Sequence, residues 1–101
     1  MEKEIFELVE KEKYSILKIK LKEPIEPSLL KRVNPPVINY KKGLIISGRA
    51  PIWLYGFLIH YYHPTPFIGV YDPRLGVVII QSHVSSVIVG EVMGVEIDGE
   101  G

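Results

Sequence analysis

The segment from 51 to 62 has no polar face. Ile52, Trp53, Leu54, Tyr55, Phe57, Leu58, Ile59, Tyr61 and Tyr62 cover essentially the whole circumference of a helix. A helix that is apolar all round has to be buried all round. Its limits are punctuated: Pro51 suits a first turn, and His63-Pro64-Thr65-Pro66 stops it. On either side lie apolar runs, Leu44-Ile45-Ile46 within 42–47 and the stretch 67–71, of the kind that forms strands buried on both faces. Strand, helix, strand predicts a right-handed crossover between two parallel strands. In such sheets ligands bind beyond the carboxyl ends of the strands, which here are Ser47-Gly48-Arg49 and Asp72-Pro73-Arg74. One face of the helix can lie on the sheet, but a chain of 101 residues has little left to cover the other. A symmetric homodimer is the expected solution. The alternative is cover from a short helix at 27–33 or from a terminal strand.

The rest of the chain reads as strands around this unit. Residues 4–10 and 14–22 pattern as a hairpin. In the second of these, Leu17, Ile19 and Leu21 alternate with Lys18, Lys20 and Lys22, so one buried and one wet face suggest an edge position. Proline opens the 27–33 helix, and Asn34-Pro35-Pro36 ends it. An extended connection follows through Val37, Ile38 and Tyr40. Asp72-Pro73-Arg74-Leu75-Gly76 has the residues of a tight turn, so 77–80 returns antiparallel, and a last strand is expected near 92–97. The predicted fold class is α/β: one domain over 1–101, with a small Rossmann-like mixed sheet, a strand-helix-strand crossover and an attached hairpin.

Composition removes several classes of function. There is no cysteine, which excludes disulfides and thiolate metal sites. Twelve basic and twelve acidic residues give zero net charge, which argues against a binder of long duplex nucleic acid. No apolar stretch reaches spanning length, and Met1-Glu2-Lys3-Glu4 is not the start of a signal peptide. A cytoplasmic protein with no membrane association is expected. Of the cations, only Arg32, Arg49 and Arg74 are arginines, and the last two fall in the loops at the carboxyl ends of the parallel strands. Their planar forks suit phosphate better than lysine does.

Three constellations carry chemistry. Ser47, Gly48 and Arg49 lead into a helix N-terminus, where free N–H groups and a partial positive charge favour an anion; the plainer reading is a capped turn. Asp72 and Arg74 stand at the same sheet edge, where a carboxylate can orient a nucleophile or hold a metal and a guanidinium can steady a phosphorane; a type I turn with aspartate first is the plainer reading. His60 and His63 are one helical turn apart, and His83 ends the strand returning from Asp72, so the three imidazoles converge at the far end of the sheet, where manganese or zinc would suit them. Unrelated surface histidines are the plainer reading here. The strand between Asp72 and the histidines separates them by about 20 Å at ~3.3 Å per residue. Either there are two sites, or one site closes between subunits stacked head to tail.

The blocks Gly43-Leu44-Ile45-Ile46-Ser47-Gly48-Arg49-Ala50-Pro51-Ile52-Trp53-Leu54, His60 with His63, Thr65-Pro66-Phe67, Val70-Tyr71-Asp72-Pro73-Arg74-Leu75-Gly76 and Gln81-Ser82-His83 closely resemble the small stand-alone ring nucleases of type III CRISPR systems. That family is an outlying branch of the CRISPR-associated Rossmann-fold superfamily. The resemblance implies dimers that stack on cyclic tetra-adenylate, linearise it in a manganese-dependent reaction and so switch off type III signalling. By motif position, Ser47, Gly48 and Arg49 would cradle the ring. Asp72 and Arg74 would serve catalysis, with His63 offered by an opposing dimer. Metal ligands would come from His60, His63, Asp72 and His83. The runner-up function is an adenylate or RNA 3′-end binding protein, or a manganese-dependent exoribonuclease acting on poly-adenylate.

Overall fold

A computed structural model describes residues 5–95. Its elements are β1 (Phe6–Glu10), β2 (Tyr14–Ile19), a 3-10 turn (Pro27–Lys31), β3 (Gly43–Ser47), α1 (Ile52–Tyr61), β4 (Phe67–Asp72), β5 (Gly76–Ser82) and β6 (Val92–Met93). The strands form one mixed sheet in sequence order. β2, β3 and β4 run parallel, while β1, β5 and β6 are antiparallel to their neighbours. The α/β class, the β1–β2 hairpin, the β3–α1–β4 crossover and the β4–β5 return all match the expectation. Of the last expected strand, Val92 and Met93 pair with β5; Glu96 and Ile97 lie outside the described residues.

The sheet is covered on both faces. On one, Leu17, Ile19, Leu44, Ile46 and Ile68 pack with Leu54, Leu58 and Tyr62 of the helix. On the other, Ile16, Ile45, Phe67, Val77 and Ile79 form a second cluster, over which Val87, Met93 and Val95 pack. This overturns the edge position expected of β2. The strand is interior, with β1 on one side and β3 on the other, and Lys18 on its supposedly wet face is only 9% exposed. The alternation is real, but Ile16 shares the lysine's face and the second cluster buries it. Lys20 and Lys22 lie beyond the strand's end.

The connection from β2 to β3 is a second parallel crossover. Ile25, Leu30, Val33 and Ile38 place it on the same face as α1, and the Tyr62 phenol donates to the Pro36 carbonyl at 2.6 Å. Burial raises that phenol's pKa above its ordinary range. This crossover supplies part of the helix's cover. Within one chain, however, the all-round burial expected of α1 is not met: Leu54 and Leu58 are buried, Gly56 and His60 are exposed, and Ile52 is 89% exposed. One stripe of the helix is open. Among the described residues no helix is long and apolar enough to cross a membrane.

Candidate functional site at the two ends of the sheet

At the carboxyl end of the parallel strands the chain makes two adjacent turns. Gly48 leaves β3 with φ +127°, and a Cβ there would lie 2.4 Å from the carbonyl oxygen of Ile19. Only glycine allows this loop to pass so close to β2. The Tyr55 hydroxyl, from the first turn of α1, donates to the Gly48 carbonyl at 2.7 Å and ties the loop down. Arg49 is exposed. Pro51 caps α1 without any side-chain hydrogen bond to its first turn, so the cap residue itself leaves the helix's leading N–H groups free. Beside this loop, the Arg74 N–H donates to Asp72 Oδ1 at 2.8 Å and the Leu75 N–H to the Asp72 carbonyl at 3.0 Å. The turn reading of this segment is therefore correct, and it leaves the Arg74 guanidinium exposed.

Ser47 does not join this surface. It pairs with Lys18 and alternates with Leu44 and Ile46, so its side chain lies on the face away from the helix. It is fully buried, and its hydroxyl has no hydrogen-bond partner. The physical reason is the pleat: a residue one place from Ile46 must point to the opposite face.

The opposite end holds the histidines. His60 and His63 stack with ring centroids 5.9 Å apart. The His63 ring Nδ1 lies 3.1 Å from the His60 carbonyl, and His83 Nε2 lies 3.1 Å from the His63 carbonyl. A carbonyl oxygen only accepts, so His63 carries its proton on Nδ1 and His83 on Nε2. His63 therefore offers Nε2, and His83 offers Nδ1. The Gln81 amide also donates to the His63 carbonyl, at 2.7 Å. The three histidines do gather at one end, and Asp72 stands at the other end of β4. They do not make a metal cage: among the described residues no three histidine or acidic side chains are placed to hold an ion. The set His60, His63, Asp72 and His83 is thus not assembled within one chain.

Two residues with structural claims on the site were given no role by sequence reading. Tyr55 was legible only as one more apolar position of α1. Gln81 sits on a strand whose regular alternation would turn it to the other face.

Residues 18–94 match the family described as CRISPR-associated protein (Cas_csx3). The chain belongs to the Csx3 family of CRISPR-associated proteins. The matched span contains every candidate residue at both ends of the sheet, from Ser47 to His83. The chain is also similar to an uncharacterised protein of Aquifex aeolicus (strain VF5), 48% identical over 84 aligned residues, in a match that covers 78% of this chain and 76% of that protein. The Csx3 match thus agrees with the resemblance carried by residues 43–83 as far as a CRISPR-associated role.

Proposed function

We propose that this protein is a ring nuclease that binds cyclic tetra-adenylate between stacked homodimers and linearises it, switching off type III CRISPR signalling. The observation that supports the reading best is the division of labour between the ends of the sheet. One end offers exposed Arg49, the uncapped start of α1 and the Asp72–Arg74 turn. The other offers exposed His63 with an unbonded Nε2 on a hydrogen-bonded turn. Neither end holds a complete set for cutting a phosphodiester. Together they supply charge stabilisation and a proton acceptor or donor.

In this reading the Gly48–Arg49 loop and the start of α1 hold the phosphates. Arg74 neutralises the charge that develops on the reacting phosphate. His63 of a stacked copy moves a proton at Nε2, either from the attacking oxygen or to the leaving one. Asp72 keeps Arg74 in place through the backbone bond. Manganese enters the reading from the family resemblance; among the described residues of one chain no three histidine or acidic side chains are placed to hold it.

The deciding experiment is incubation with cyclic tetra-adenylate and with linear oligo-adenylate, each with and without manganese. Conversion of the ring to linear product is expected. An intact ring with trimming of the linear RNA would make the protein an exoribonuclease instead. Binding of either without cleavage would make it a sensor.

A further inference from the structure

We infer that Gln81 is a positioning residue for His63, and that the bulge in β5 is there to aim it. The inference rests on the reading of His63 as the proton-transfer group. β5 pairs with β4 in register from Gly76 to Ile79, and then shifts: Gly69 faces Ile79, while the next β4 residue, Ile68, faces Gln81. Ile80 is the extra residue. In a regular strand Ile79 and Gln81 would share a face. Here Ile79 belongs to the cluster on the far face, whereas Gln81 sits opposite Ile68, whose side chain packs with the helix. Ile80 packs on that helix side as well. The bulge therefore puts two consecutive residues on one face, as bulges that re-aim a side chain do. The second of them reaches the turn that follows α1.

What Gln81 reaches is the backbone of His63. Its amide and the His83 ring both donate to the His63 carbonyl, at 2.7 Å and 3.1 Å. The Gln81 and His83 nitrogens stand 3.4 Å apart as two donors sharing one acceptor. On the other side, the His60 carbonyl accepts from the His63 backbone N–H at 3.3 Å and from its ring Nδ1 at 3.1 Å. The exposed His63 ring thus stands on a residue fixed at its N–H, its ring and its carbonyl. Its orientation and its tautomer follow from that frame. Gln81 supplies the shortest of these bonds and belongs to a different element. Without it the turn is held to β5 by the His83 ring and by the His83 N–H, which donates to Pro66. The ring can then leave the His60 carbonyl and lose its preference for Nδ1–H.

The test uses the whole chain and two variants. Gln81→Met keeps the length of the side chain and removes the donor. Gln81→Glu keeps the shape and replaces the donor by an acceptor facing a carbonyl. Imidazole nitrogen NMR in alkaline buffer, without metal or ligand, should show His63 as the Nδ1–H tautomer in the parent. In both variants it should show a mixture with Nε2–H. Turnover of cyclic tetra-adenylate should fall about tenfold, the equivalent of one hydrogen bond, with KM little changed. A purely structural role would lower thermal stability in proportion and leave the tautomer alone. Parent-like tautomer in a folded variant overturns the proposal, and so does a changed tautomer with parent turnover. If the parent cuts no ring at all, the functional reading fails, while the NMR result still decides whether Gln81 sets the state of His63.

Discussion

Single side chains separate what holds the candidate site together from what faces its ligand. Arg49 is exposed at the start of α1, so its removal should cost binding and not folding. Arg49→Ala is expected to weaken cyclic tetra-adenylate by about 1–3 kcal/mol in a titration, the usual value of a charge-assisted bond. Arg49→Lys should recover part of it, because lysine keeps the charge and loses the fork. Parent-like binding by Arg49→Ala would place the anion elsewhere. Ser47 should behave in the opposite way. Its hydroxyl is buried with no partner, and such a group destabilises by its lost hydration. Ser47→Ala is expected to leave binding unchanged and to hold or raise the melting temperature. Weaker binding in that variant would show that the hydroxyl reaches the ligand after all. Sequence alone places these two residues in one cradle because they lie two apart along the chain; Ser47 is still within β3 and turned from the helix, whereas Gly48, at φ +127°, takes the chain out of the strand before Arg49.

Elements show why the fold was more legible than the site. The apolar runs of β3 and β4, the proline-bounded α1 and the Asp72–Gly76 turn are local patterns, and each formed where its pattern fell. The interior position of β2 is not legible in its own residues, because burial of Lys18 depends on the second cluster, which is built from residues far along the chain. The bulge at Ile80 was invisible for the same reason: it is a property of pairing with β4, not of the residues in β5. The hairpin offers a test of its own. Glu10 accepts from the Ser15 hydroxyl at 2.9 Å and pairs with Lys42 at 2.7 Å, and Lys42 also donates to the Lys11 carbonyl at 2.7 Å. This joins the β1–β2 turn to the start of β3. The Lys42 bond, and then the Ser15 bond, lower the Glu10 pKa from its ordinary value. A carboxyl whose pKa is lowered by folding contributes stability above its unfolded pKa and loses it as pH falls through the folded one. Glu10→Gln should therefore lower stability at neutral pH by less than about 1 kcal/mol, because Glu10 is exposed, and a thermal melt should show it as a small drop in melting temperature. The difference from the parent should vanish in acid, below the carboxylate range. A difference that persists there would mean that the pair's charge is not what holds the hairpin.

For the whole molecule, the open stripe of α1 and the distance between the sheet's ends make the same demand. Ile52 is 89% exposed on a helix whose other residues are largely apolar, and a second copy is the proposed cover. Light scattering at micromolar concentration should report a dimer; a monomer would remove that cover. The stacking of dimers on the ligand is a separate claim, and mixing can isolate it. Asp72 pairs with Gly76 at one end of the β4–β5 ladder, and His83 is bonded to Pro66 at the other. Asp72 and His63 of one chain therefore cannot close on the same phosphate. Asp72→Ala and His63→Ala should each lower ring opening, by at least about the tenfold of one lost hydrogen bond for Asp72→Ala and further for His63→Ala. Mixed together, a dimer with intact Asp72 can stack against one with intact His63, and ring opening should partly return. Crosslinking each dimer before mixing prevents exchange of subunits and permits stacking, so recovery should survive it. Activity should also rise more steeply than enzyme concentration until stacking saturates. Added ligand should bring saturation to lower concentration, because binding between two dimers favours that assembly by mass action. Failure of the mixture to recover, with rates linear in enzyme over a wide range, would confine the reaction to one dimer.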